Sequence, residues 1–202
     1  MVTGSVTPVP TGTELRITDD QAAKLLISPD DLPTPYQVDP SVTPDSRIGL
    51  PPGCAPLDAF AAALRRAPVR AARGFLGGSV YPFLEERVAV LPELAAGKVA
   101  QFAQALTACH TFTSRDADGV GVRFTTSVLS TLDTSGAPAG DEVVAIGMAG
   151  RPSLTSDAVA NQAVVARRGD VVVLFVLSGL DKVDPDVLAA ALDKAAGTLN
   201  RF

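Results

Sequence analysis

Histidine occurs once in this chain, cysteine twice and tryptophan not at all. His110, Cys54 and Cys109 are too few soft ligands for a zinc centre, which takes four in its structural form. Charge is scarce too. Asp, Glu, Lys and Arg make up 19% of the residues, and acids outnumber bases, for a formal net charge of −5 and a pI of about 4.8. No basic stripe stands ready to neutralise phosphates, which argues against a nucleic-acid partner and against attraction to an anionic membrane. Arg65, Arg66, Arg70 and Arg73 are the densest basic stretch and read as a solvated helix end. Long apolar runs are also missing. Val171 to Leu177 is of strand length, well short of the roughly 20 residues a spanning helix needs. No apolar stretch follows Met1-Val2-Thr3-Gly4, so a signal peptide is not expected within the chain, and export would place the targeting segment before residue 1.

What is present is apolar bulk, 47% of 202 residues, enough for one domain with a sizeable core. Residues 1–13 are Thr, Pro, Gly, Ser and Val without periodicity and read as a flexible tether, leaving 14–202 as the folded domain. The two cysteines fall at opposite ends of helix-like runs. Cys54 precedes Ala55-Pro56-Leu57, and Cys109 ends the run from Leu94 through Phe102 and Leu106. Without metal-ligand spacing they read as one structural disulfide, hence an oxidising, extracytoplasmic compartment. Closing 55 positions, the bridge is worth roughly 4 kcal/mol by chain entropy.

Thr18-Asp19-Asp20-Gln21 is a capping box ahead of Ala22, Ala23 and Leu25, and predicts a short first helix. Ser28-Pro29-Asp30-Asp31 starts a second that Pro33 and Pro35 stop. The Pro-rich stretch 33–53 is a loop with a strand-like Tyr36-Gln37-Val38. Leu57 to Ala67 has helical spacing. Val69 to Leu76 and Tyr81 to Leu91 lean to strand, and the second reads as half-buried, with Phe83, Glu85, Arg87 and Ala89 opposing Leu84, Val88 and Val90. Leu94 to Cys109 is the clearest amphipathic helix. Strands follow: Thr111 to Arg115, Val120 to Leu129 and Glu142 to Met148, with turns at Asp116 to Gly119 and Ser135 to Gly140. The best hairpin pairs Val159 to Ala166 with Asp170 to Leu177 across Arg167-Arg168-Gly169, and Pro185 opens a last helix through Leu199. Consecutive hairpins make the class α+β: a largely antiparallel sheet flanked by helices, a single domain stapled by one disulfide.

Chemistry-bearing motifs are incomplete. Cys109-His110 is a thiol–imidazole adjacency, but the sulfur is expected to be committed to Cys54. Gly77-Gly78-Ser79-Val80-Tyr81 has Tyr81 where a nucleophile elbow needs glycine. Gly119-Val120-Gly121 lacks the last glycine of a dinucleotide loop, and Asp116-Ala117-Asp118 lacks the later carboxylates of a calcium loop. Glu85 and Glu86 are adjacent on a strand and point to opposite faces, so at most one could serve any site.

The order of these landmarks resembles the PknH-like extracellular sensor domains of actinobacteria, found as kinase outer domains and as stand-alone lipoproteins. The resemblance covers roughly Ile17 to Phe202. It rests on Leu25-Leu26-Ile27-Ser28-Pro29-Asp30-Asp31-Leu32, on Pro51-Pro52-Gly53-Cys54, on Ala100 through Cys109, on Asn161 to Val173, and on the closing helix from Asp186. It implies a non-catalytic α+β domain with a cleft of mixed polarity that binds a ligand outside the cell. Kinase-linked members often carry a second disulfide where this chain has residues near Asn161 and Ser178, and the absence of tryptophan is a further departure. Both departures point to the stand-alone type.

The expectation is therefore an exported, lipid-anchored, ligand-binding or sensor-like domain, not an enzyme, with no cofactor and no metal. Tyr81, Phe83, Phe112 and Phe124 are its candidate ligand-lining aromatics, each of which taken singly reads more readily as core. Its partner would be a small-molecule, lipid or envelope ligand, with the membrane reached through an N-terminal anchor outside this chain. The competing expectation is an envelope protein-interaction module that docks through a sheet edge or the 33–53 loop.

Overall fold

The computed structural model describes residues 17–33, 35–115, 119–129, 142–152 and 157–199. The tether at 1–13, the Ser135 to Gly140 turn and most of the Asp116 to Gly119 turn lie outside them. Among the described residues a single sheet holds eight strands: β1 Gln37–Asp39, β2 Val69–Leu76, β3 Phe83–Val90, β4 Thr111–Arg115, β5 Gly121–Val128, β6 Glu142–Pro152, β7 Val159–Arg168 and β8 Val171–Leu180. Their order is β1-β2-β3-β8-β7-β6-β5-β4, antiparallel throughout. Two meanders, β1 to β3 and β4 to β8, are joined where β3 pairs with β8, from Phe83 opposite Ser178 to Val90 opposite Val171. The β7–β8 hairpin turns tightly after Arg168, with Gly169 at φ +55°, a left-handed conformation that glycine adopts without cost.

Helices cover the two faces. On one lie α1 Asp19–Leu25 and α5 Pro185–Leu199, packed on Phe75, Leu84, Val88, Val164, Val173, Phe175 and Leu177. On the other lie α2 Ala55–Arg66, α3 Ala95–Ala103 and α4 Ala105–Ala108, packed on Phe124, Ile146, Met148, Val165, Val172 and Leu174. Phe60 of α2 meets Phe102 of α3 at 5.0 Å between ring centres. Each Leu or Phe fully buried here contributes about 1.5–3 kcal/mol. The capping box at Thr18 is formed in both directions.

Three elements differ from the sequence expectation. The run from Leu94 to Cys109 is two helices, broken at Gln104. Arg70 and Arg73 sit on β2, not at the end of a helix. β3 is buried on both faces, Glu85, Glu86 and Arg87 included. Alternation suggested a half-solvated strand, but β3 lies inside the sheet with cover above and below, so its charged side chains must find partners within the protein.

Candidate functional site

Those partners build the site. On the α2–α4 face, Arg87 reaches from β3 into a ring of main-chain oxygens. Its Nη1 donates to the carbonyls of Thr43 (2.9 Å) and Pro44 (3.1 Å). Its Nη2 donates to the carbonyls of Ser46 (3.1 Å) and Arg47 (3.2 Å) and to Ser46 Oγ (2.8 Å). Its Nε donates to Glu85 Oε1 in a buried ion pair. Glu85 Oε2 accepts the Gly49 N–H at 2.6 Å. A Cβ at Gly49 would stand 2.8 Å from that same oxygen, so glycine is what lets the loop approach the carboxylate. Burial pushes the Glu85 carboxyl above its ordinary pKa, against the pull of Arg87 and the Gly49 N–H. The Pro-rich loop is thus pinned to the sheet along 43–49.

A few residues further on, the loop is pinned again. Cys54 is the N-cap of α2 and is bonded to Cys109 at the end of α4. Thr126 anchors that end, its Oγ1 donating to the Cys109 carbonyl (3.0 Å) and its N–H to the His110 carbonyl (3.1 Å). With its sulfur in the bridge, Cys109 offers no thiol to His110, which is exposed.

Between the two pins, residues 47–52 stand over strand ends that the α2–α4 layer leaves uncovered. The result is an open cavity of about 700 Å³. Its floor runs across the sheet from Ser178 (β8) through Asn161 and Val159 (β7) and Pro152 (β6) to Phe124 and Val122 (β5) and Ser114 (β4). Tyr81 and Arg115 also line it. Phe124 lies across Gly150 of the neighbouring strand, where a Cβ would come within 2.5 Å of the ring. Ser114, Asn161 and Ser178 are buried, yet none of these side chains hydrogen-bonds another described residue. Asn161 and Ser178 are directly opposite each other in the β7–β8 register. Apolar walls with a few unpaired polar groups are what a small-molecule site offers.

Of the aromatics singled out in the sequence, Tyr81 and Phe124 line this cavity. Phe112 stacks on Phe124, with ring centres 5.4 Å apart, and packs into the core of that face. Phe83 lies in an adjoining depression that shares Tyr81 and Ser178 with the cavity. Sequence reasoning missed Glu85 and Arg87 as supports of the wall, and Ser114 as part of the floor. Their signal was a charged pair at i and i+2 in an otherwise apolar strand, and a serine at an inward position of β4.

No family model matches the chain, and no curated protein matches it. Among solved structures, the extracellular domain of PknH from Mycobacterium tuberculosis has the same fold, with a TM-score of 0.61 at 15% identity. The match covers 92% of this chain and 98% of that domain. The fold that the order of landmarks implied is therefore shared along nearly the whole chain, at an identity where fold alone is conveyed.

The opposite face carries a second buried acid. Glu86 Oε2 accepts the Ile27 N–H at 2.8 Å, while Oε1 has no partner among the described residues. Arg73 holds the same residue from its other side, donating to the Ile27 carbonyl at 2.6 Å. Burial pushes the Glu86 pKa up to about 8, opposed by the Ile27 N–H and the Arg73 charge. Nearby, Lys194 of α5 contacts Asp31 at 2.7 Å and holds its carboxyl below the usual range. These contacts tie the α1 segment and α5 to the sheet, away from the cavity.

Proposed function

We propose that this chain is an extracytoplasmic, non-catalytic sensor-type domain that binds a small ligand in the cavity under residues 47–52. The observation that carries the reading is the floor. Three polar side chains of mostly buried residues, with no hydrogen bond to another described residue, open onto a space of about 700 Å³ lined by apolar residues together with Arg47 and Arg115. A ligand polar group, or water until one arrives, completes them. The disulfide supports an oxidising compartment, and the fold shared with a kinase's extracellular domain supports a sensor role. Attachment through an N-terminal lipid anchor, as in the stand-alone actinobacterial lipoproteins, is part of the same proposal.

The test is native mass spectrometry of protein purified from its own host. A bound mass that leaves on denaturation, and is absent from Asn161→Phe and Val159→Phe variants that still carry the disulfide, is the expected result. No bound mass, together with no thermal stabilisation by a panel of lipids and envelope fragments, sinks the reading. The interaction-module alternative draws on the same loop, but Arg87 and the disulfide hold that loop as a cavity wall. A protein partner that co-purifies and is lost when residues 33–53 are replaced would favour it.

A further inference from the structure

Among the described residues, no helix packs on one face of the sheet at its far end. α1 and α5 pack on β2, β3, β7 and β8, and on that side the outward residues of β4 and β5 are exposed: Thr111, Thr113 and Arg115 on β4, Arg123, Thr125 and Ser127 on β5. Arg123 is directly opposite Arg151 of β6 in the register, and both are exposed. Thr113 is Arg123's partner on the other side, which puts Arg115 on the diagonal from Arg123. Neither Arg123 nor Arg151 has an ion-pair partner among the described residues. Like charges directly opposite on neighbouring strands are destabilising, and a chain with a net charge of −5 had acids to spare for compensating them. The exposed outward residues of β4 and β5 are all polar or charged, and the nearest large apolar side chain on this side, Leu129, is half-buried over Gly147, so the exposed part of the face lacks the apolar centre that a protein interface is built around.

We propose that this arginine face docks on the anionic headgroups of a lipid bilayer. The surface is broad and open, with guanidiniums that can take phosphate oxygens in pairs and hydroxyls beside them to hydrogen-bond the same groups. The overall acidity of the chain repels such a surface at long range, but at about 0.15 M salt that repulsion is screened beyond about 8 Å, and the local arginines dominate on contact. A patch of this size binds weakly by itself and gains weight beside a lipid chain, since stable anchoring takes two signals. The docking face centres on Arg123 and Arg151, neither of which lines the cavity, and only Arg115 at the sheet edge borders both, so it stands or falls independently of the ligand reading.

The experiment is co-sedimentation of the chain with vesicles of phosphatidylcholine alone and of phosphatidylcholine with about a third phosphatidylglycerol, in low and high salt. Binding to the anionic vesicles, its loss in high salt, and a drop of about fivefold for each of Arg123→Gln and Arg151→Gln are expected. Arg65→Gln/Arg66→Gln removes two charges, as many as the two single variants together, from the exposed end of α2 and should leave binding unchanged. Because Arg123→Gln relieves a like-charge pair, its melting temperature should equal or exceed that of the parent, which separates lost binding from lost folding. No preference for anionic vesicles overturns the proposal, as does an equal loss in the α2 variant. Capture of an acidic protein by this face without vesicle binding also overturns it.

Discussion

Replacing Glu86 with glutamine tests how a buried acid shapes stability. The pKa of Glu86 in the folded chain, about 8, lies above the ordinary 4.5, so the native state keeps a proton that the unfolded chain gives up between those values. Its contribution to stability is full below about pH 4.5 and drains as the pH rises towards 8, by about 1.4 kcal/mol for each pH step. At pH 7 the protein has therefore forgone roughly 3 kcal/mol relative to a side chain that never ionises. Glutamine keeps the shape of the protonated acid and an oxygen for the Ile27 N–H. Urea unfolding at steps from about pH 5 to about pH 8 should show the parent losing stability as pH rises and Glu86→Gln losing much less. The two should agree near the acid end and separate by roughly 3 kcal/mol at neutrality. Some slope of the same sign should survive in the variant, because burial also raises Glu85. Parallel curves for the two proteins would refute the reasoning.

Other perturbations follow from the same structure. Removing the bridge with Cys54→Ala/Cys109→Ala should cost roughly 4 kcal/mol in denaturant unfolding, and an undiminished midpoint would count against it. Arg87→Met leaves Glu85 buried without its cation and frees residues 43–47, for an expected loss of roughly 3–5 kcal/mol. The double change Glu85→Leu/Arg87→Met should recover part of that stability, but not the position of the cavity wall; a double variant no more stable than Arg87→Met would contradict this. At Gly150, valine would place its Cβ 2.5 Å from the Phe124 ring, costing about 1–3 kcal/mol in a melt; an unchanged melting temperature would show that the floor can rearrange.

Much of the fold was legible because its signals are local. The capping box at Thr18, Pro185 at the start of α5 and the tight turn after Arg168 each mark an element within a few residues of itself. The break at Gln104 left no glycine or proline to read, and the apolar spacing of Leu94 to Cys109 continues through it. β3 was misjudged for a different reason. Charges alternating with apolar residues signal solvent unless the partners are visible, and the oxygens that satisfy Arg87 come from 43–47, some forty positions away. The cavity was half legible in the same sense. Tyr81 and Phe124 announce themselves as aromatics, whereas Ser114 becomes part of a floor only when β4 is placed beside β5 at the far edge.

The pairing of β3 with β8 also dictates when the molecule can finish folding. Residues 83–90 must wait for residues 171–178, so the two meanders stay separate until the last strand has arrived. Contacts of such long sequence separation form slowly. A chain threaded from its N-terminus through a narrow translocation pore would keep the middle of its sheet open to the end of its passage, while Cys54 and Cys109, both in the earlier part, are already across and free to join. Closure of the central seam is thus the last step of assembly, and the disulfide can be in place before it.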